Sequence, residues 1–424
     1  MGVGTSGFHR RSRDVSASGQ PRIVRAHGSR LFDDRGRDYI DGISGATCNN
    51  LGHGIPEMLS AMHKKAALAS FAHRTQFASQ PIVDLTREIL NLTGAGYREV
   101  LYTDSGPAAI KLTLDLVRRH HALNDESDRP MVLTQRPSHQ GSGVVAFSIA
   151  GRPAHDGSAA LGRDSPASWT QRAAPNADQL GPDLDDWQLA FDRVGHGRVA
   201  AVLVEPMGSA DSGATALSDE TLSGLRELCD ANGALLVADE TLTGLGQVGD
   251  WFGHSSSGVT PDLIVMGPGL NAGCSPIGAC VVGQNVRPQQ LCTGATALGP
   301  SSAVTAHAVL RFTKEQNIPE RARQMGAFLK RELEALAAPV YYLGEPRGRG
   351  LLFTLPVLTG PRLSQAKEIC ATAINFGLML RPTGVDRATE AVIVAPPLTI
   401  ATHEMNLLVD RLRDTLRNLA NSMG

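Results

Sequence analysis

The sequence predicts an α/β fold, with a large domain built on a mostly parallel sheet and a small α+β domain at the C-terminal end. Three observations carry this. The apolar run Ala234-Leu235-Leu236-Val237-Ala238 ends in two carboxylates, Asp239 and Glu240. A second run, Leu263-Ile264-Val265-Met266, ends in Gly267-Pro268-Gly269-Leu270. Short apolar runs of this kind, without polar alternation, fit strands covered on both faces, as in a parallel sheet. The third observation is a change of rhythm at Pro319, after which helices and short strands alternate differently. Parallel strands deliver the residues at their carboxyl ends to one crevice, so the tips at Asp239 and Gly267 are expected to share a site.

The elements follow in order. Residues 1–20 are rich in Gly, Ser and Arg and are expected to be a disordered tail. Residues 21–60 form an N-terminal segment expected to pack with the small domain; 61–318 make the large domain and 319–424 the small one. Leu31 to Asp41 reads as a hairpin with Gly36 at its turn. Helices are predicted over 56–70 and 82–92. A strand over 99–102 leads into Thr103-Asp104-Ser105-Gly106-Pro107, which opens a helix to about Leu123. Ser105 or Gly106 suits its N-cap and Pro107 its first helical position. Strands follow at 131–134 and 144–149. The polar, aperiodic stretch 151–185 is long for a plain connection and reads as a loop over the surface or the site. Strand 199–204 ends at Glu205-Pro206, and helix 219–231 is stopped by Asn232-Gly233. After the two central strands come strand 277–282 and helix 303–315. The tail reads as helix 319–336, strand 350–355, helix 363–376, a short strand at 378–380, strand 391–394 and helix 402–421.

Composition excludes several classes of function. A net charge of −2 and an aromatic content of 4% argue against a nucleic-acid or anionic-membrane partner. No apolar run approaches the roughly 18 residues needed to span a bilayer. The six cysteines are scattered without a CxxC pair, which points to free thiols, no metal site and a reducing, cytoplasmic setting.

Several motifs stand in a telling order. They are Leu31 to Gly42, Asn50-Leu51-Gly52-His53, Glu205-Pro206, and Asp239-Glu240 with Thr243-Gly244-Leu245-Gly246. Gly258-Val259-Thr260-Pro261-Asp262, Arg347 to Leu351, and Arg381-Pro382-Thr383-Gly384 with Pro396-Pro397-Leu398 follow. Together they resemble the class III (ω-)aminotransferases of pyridoxal-phosphate fold type I, over about residues 23–420. The resemblance implies a seven-stranded type of sheet, a homodimer with the crevice at its interface, and a small-molecule substrate, expected to bear an amine.

The resemblance also says what the site should hold. The family's Schiff-base lysine, a primary amine that can lose its proton near neutral pH, falls at Pro268. The phosphate cup falls at Ser105-Gly106-Pro107, where Pro107 removes an N–H and a hydroxyl; bonds to a charged acceptor contribute about 1.5–3 kcal/mol each. Ser138 replaces the aromatic that stacks on the cofactor ring before His139, Thr241-Leu242 stand where a glutamine is usual, and Ile393 stands at a carboxylate-clamping arginine. Asp239 remains as partner of a pyridinium nitrogen, or simply as a strand-end carboxylate capping a loop. Thr296 remains where the family reaches a phosphate across the dimer, or is simply a loop threonine. Cys274 reads as a nucleophile or as a small buried residue. If pyridoxal phosphate binds, its contacts would be Ser105, Gly106, His139, Asp239 and Thr296; covalent binding is not expected, and no cofactor is the leading expectation.

Three readings of function follow. The first is a cofactor-independent biosynthetic enzyme in the old crevice. Its acid–base groups would be Asp239, His139, Glu205 and Glu240, with Glu240 read otherwise as a structural group and His139 as a structural histidine, and its reaction acyl or amine transfer, condensation or cyclisation on an amine-bearing metabolite. The second is a pyridoxal-phosphate transaminase with a non-standard site. The third is a non-catalytic partner of an active paralogue.

Overall fold

The structure is a computed structural model of the chain and describes residues 20–66, 76–135, 183–208, 215–287, 298–358, 365–384 and 389–423, without the side chains of 64–66 and 422–423. The expected tail (but for Gln20), the strand at 144–149 and all but the end of loop 151–185 lie outside these residues.

The chain opens with β1 (Ile23–His27), β2 (Arg30–Asp33) and β3 (Asp38–Asp41). Then come α1 (Pro56–Ala66), α2 (Gln80–Thr93), β4 (Tyr97–Thr103), α3 (Gly106–Leu123), β5 (Met131–Thr134), α4 (Leu184–Val194), β6 (Val199–Val204) and α5 (Asp219–Asn232). The central strands β7 (Leu235–Asp239), β8 (Leu263–Met266) and β9 (Gly278–Gly283) precede α6 (Pro300–Glu315) and α7 (Ile318–Ala337). The last stretch holds β10 (Arg347–Arg349), β11 (Leu352–Pro356), α8 (Gln365–Asn375), β12 (Leu378–Met379), β13 (Arg381–Thr383), β14 (Ala391–Val394) and α9 (Thr402–Met423).

The main sheet has the described order β4-β9-β8-β7-β6-β5. Strands β5 to β8 are mutually parallel, and β9 runs antiparallel to both of its neighbours. Successive strand residues point to opposite faces. On one face Val237 and Val265 pack with Ile110, Leu114 and Val117 of α3. On the other, Ile264, Met266 and Val281 pack with Leu85 and Ile89 of α2 and with Ala303 and Leu310 of α6. Every residue of β6, β7, β8 and β9 is buried, which is why these runs carry no polar alternation.

A second sheet, β10-β11-β14-β13, is covered by α7, α8 and α9, whose Leu329, Leu333, Ile369, Leu408 and Leu412 form one core with Phe353 and Val392. The chain ends are joined through a third sheet, in which β12 pairs with β3 in parallel, Leu378 opposite Ile40. Two expected strands differ. The one at 350–355 starts two residues later, as β11, because Gly350 and Leu351 form the turn that joins it to β10 in a hairpin. Gly350 sits at φ 58°, and a Cβ there would lie 2.3 Å from the carbonyl carbon of Val248, so the contact fixes a turn where the run looked continuous. The stretch at 378–380 is the short β12, and a further strand, β13, follows it, because the chain leaves the β3 ladder at Met379 and joins β14 from Arg381.

Candidate active site

The carboxyl edge of the main sheet brings the expected strand tips together. Val204 pairs with Ala238 and Asp239 with Val265, so Glu205, Asp239 and Gly267 stand in neighbouring positions. Glu205 is buried, and its N–H donates to Gln135 Oε1 at 2.8 Å. Asp239 is 1% exposed, and its Oδ1 accepts the N–H of Thr241 at 3.0 Å. The start of α3 reaches the same place. A Cβ on Gly106 would lie 3.3 Å from Thr241 Cγ2 and 3.7 Å from the Cα of Gly267. A Cβ on Gly267 would in turn lie 3.0 Å from Thr241 O, so the glycine at the tip of β8 is what lets Thr241 approach it.

At the tip of β8 the chain turns through a short 3-10 helix, Pro268–Asn271, with Gly267 before it. Proline suits such a first turn because it needs no N–H there. A loop from Asp41 to His53 runs along this turn. Buried Asp41 holds the loop by accepting from the N–H groups of Ile43 (3.1 Å) and Gly45 (2.8 Å), and it lies 3.1 Å from His53 Nε2. Ser44 and Thr47 take left-handed φ values of 49° and 58°, as does Ala272 on the facing turn at 52°. Non-glycine residues rarely sit there, and such strain gathers at functional sites. Ser44 Oγ donates to Ala395 O, and the N–H of Leu398 donates to Asn50 O, both at 2.7 Å. The loop therefore spans from the second sheet to the β8 turn.

Not every expected group meets at this edge. His139, Ser138 and Thr296 lie outside the described residues. Glu240 is turned away into the loop that follows β7. It accepts from Thr243 Oγ1 and from the N–H of Gly253 (2.7 Å), and it contacts His254 Nδ1 at 2.7 Å and the His254 N–H at 3.1 Å. Burial pushes its carboxyl up, yet the hydrogen bond from His254 and the other donors hold its pKa below the usual value. Cys274 is exposed, not buried; partial shielding of the sulfur from water pushes its thiol pKa up, which does not favour a thiolate nucleophile. Ile393 is fully buried with Ile43, Met207, Val248, Leu352 and Ala395, so its position is a closed apolar cluster. Arg381 stands directly opposite it across the β13–β14 ladder, and such pairs share a face of the sheet.

Three residues escaped the sequence reading. Asp104, exposed beside the start of α3, accepts from Ser105 Oγ at 3.0 Å. Asn50 and Asn271 are 3% and 0% exposed, and the Oδ1 of each has no hydrogen-bond partner. An acidic residue next to a helix start, and an amide within the glycine-rich run 267–273, were the available signals. Nothing in the sequence marks Asn50 as their neighbour.

The family model described as Aminotransferase class-III matches residues 15–416. The chain is 27% identical over 424 residues to the uncharacterized aminotransferase YodT of Bacillus subtilis, covering 94% of this chain and 96% of that one. It is 31% identical over 404 residues to the acetylornithine aminotransferase of Mycobacterium bovis, covering 93% and 92%. Its fold matches that of an amine transaminase from an uncultivated Pseudomonas species in a PLP-bound, internal-aldimine form, with TM-score 0.83, 23% identity and 98% and 99% of the two chains covered. At that identity the likeness establishes the fold, the pyridoxal-phosphate fold type I.

The family's cofactor, pyridoxal phosphate, needs an amine and an anion cup. The described side chains offer neither at this edge. Lys111, Lys314 and Lys330 lie on exposed helix surfaces, each paired with a carboxylate, and Lys367 is exposed on α8. At the start of α3 the N–H groups of Ala108 and Ala109 are taken by Ser105 Oγ and Ser105 O. Pro107 has none, so Gly106 alone is left to donate among the first four helical residues. Ser105 Oγ already serves Asp104, whose charge opposes an incoming phosphate. Among the described residues, this edge therefore offers such a cofactor one unused backbone N–H at the helix start and no side-chain amine.

Proposed function

The chain belongs to the class III aminotransferase family, and from that premise we propose that it is an enzyme working in the family's crevice without a Schiff-base cofactor. The substrate is a small molecule bearing an amine. Asp239 and Glu205, at neighbouring strand tips, are the acid–base and binding groups on this reading, with His139 as a third. Glu240 is assigned to holding the loop after β7. The observation that carries the proposal is Pro268. The residue at the tip of β8, where the resemblance expects the lysine, has no amine, and its ring opens the 3-10 turn. The weakened cup at Ser105–Pro107 supports the same reading from an independent element.

A transaminase reading keeps one observation in its favour, the breadth of the family match, together with Lys64 and Lys65, whose side chains lie outside the description. Amino-group transfer decides between the two. Purified protein given pyridoxal phosphate, an amino-acid donor and 2-oxoglutarate is expected to produce no glutamate above the protein-free blank. Turnover that depends on added cofactor would restore the transaminase.

A further inference from the structure

The loop from Asp41 to His53 and the turn after β8 touch along their length. Asn50 Nδ2 lies 3.6 Å from the position of a Cβ on Gly269. Further along the turn, Cys48 Sγ lies 3.1 Å from the position of a Cβ on Gly273, and the Cys48 carbonyl carbon lies 3.6 Å from it. Gly273 sits at φ 71°, and its lack of a side chain leaves the space that the Cys48 sulfur fills. The next residue is Cys274, a step of about 3.8 Å from Cα to Cα. Its N–H donates to Asn271 O at 3.1 Å, and that of Gly273 to Pro268 O at 3.0 Å, so a closed, hydrogen-bonded turn presents this cysteine to the loop. Cys48 is half-buried and Cys274 exposed. Cys229, Cys280 and Cys370 are buried, which pushes each of those thiols up to about 12 and withdraws them from reaction. Burial, and then a charge on the nearby Cys48 sulfur, push the Cys274 thiol up.

We propose that Cys48 and Cys274 are a modification site, joined as an intramolecular disulfide by reaction with a small-molecule disulfide such as oxidised glutathione. A disulfide spans Cα atoms about 4.4–6.8 Å apart, which suits a sulfur already in contact with the neighbouring residue 273. Cys274, the exposed thiol, gives up its proton and bonds to one sulfur of the small disulfide; the other sulfur leaves as a thiol with that proton. Cys48 then gives up its proton and attacks the Cys274 sulfur, and the second small thiol leaves with it. Both cysteines are oxidised and the small disulfide is reduced to its thiols. Raised thiol pKa values make the attack slow and the cysteines poor leaving groups, so the bridge forms slowly and persists until a dithiol reductant is added. The bridge ties the loop that carries Ser44, Thr47 and Asn50 to the β8 turn. It does not depend on the chemistry proposed for the crevice.

The test treats the folded full chain with oxidised glutathione, blocks the remaining thiols with iodoacetamide and maps the unreduced peptides by mass spectrometry. A linked pair carrying Cys48 and Cys274 is expected, lighter by the hydrogens lost and reversed by dithiothreitol. The fold holds these thiols at a high effective concentration, so this pairing should exceed every other by roughly tenfold, and lose that preference in urea. Cys48→Ser is expected to stop the reaction at a glutathione adduct on Cys274. Hydrogen exchange of the amides of residues 43–50 is expected to slow in the bridged form and to recover on reduction. Unreacted thiols, a glutathione adduct on Cys274 of the unaltered chain without the bridge, a bridge to Cys292 or to a buried cysteine in its place, or a preference that persists in urea overturns the proposal.

Discussion

Glu240 keeps a charge in a buried position, and its surroundings say in which direction of pH that arrangement fails. Burial raises the carboxyl's pKa, and the donors from His254, Thr243 and Gly253 more than offset the rise, so the folded value lies below the unfolded one. A depressed carboxyl contributes stability that is full above the unfolded value, about 4.3, and is lost as pH falls through the folded value. Glu240→Gln is therefore expected to cost about 1.5–3 kcal/mol at neutral pH. It should also flatten the acid side of the stability profile. Urea denaturation from about pH 7 down to about pH 3 checks both, and a variant with the parent's acid slope would contradict the assignment. The sequence already placed Asp239 and Glu240 at a strand tip but not the direction each faces. Residues i and i+1 leave a strand on opposite sides, and which side meets the crevice depends on the loop that Glu240 anchors.

At the scale of elements, close backbone approach does much of the positioning. Gly326 in the middle of α7 packs on the β10–β11 turn, where a Cβ would lie 1.9 Å from Gly350 O. Alanine is the better helix former by about 1 kcal/mol. The overlap with a backbone oxygen forces α7 and the hairpin apart, an overpacking cost of about 1–3 kcal/mol. Gly326→Ala is expected to lower the urea midpoint, with a net loss of up to about 2 kcal/mol. An unchanged or raised midpoint would contradict this packing. The same turn explains why β10 and β11 were illegible as a hairpin. Gly350 is constrained by Val248, a residue of another segment, and no local pattern records that contact. Strands β6, β7 and β8 were legible because burial on both faces leaves its mark in the run itself. Ser105 was legible as an N-cap through the polar–Gly–Pro start of α3; the structure puts Pro107 at the second helical position, one later than expected.

Over the whole molecule, three remote stretches meet at the candidate site. The sheet edge brings Glu205, Asp239 and Gly267. The loop from Asp41 to His53 brings Asn50. The second sheet, by pairing Leu378 with Ile40 and bonding Leu398 to Asn50, fixes where that loop runs. The sheet edge could be read from the sequence; the meeting of Asn50 with Gly269 could not, because only the packing of the N-terminal ribbon on the C-terminal stretch creates it. The central claim is that chemistry in this crevice proceeds without a lysine-linked cofactor. The most direct measurement is the visible spectrum of the purified protein with pyridoxal phosphate, followed by borohydride reduction, dialysis and intact-mass analysis. The account predicts a spectrum of free aldehyde that dialysis removes, and a chain mass unchanged by reduction. A borohydride-fixed increase in mass on one lysine would contradict it.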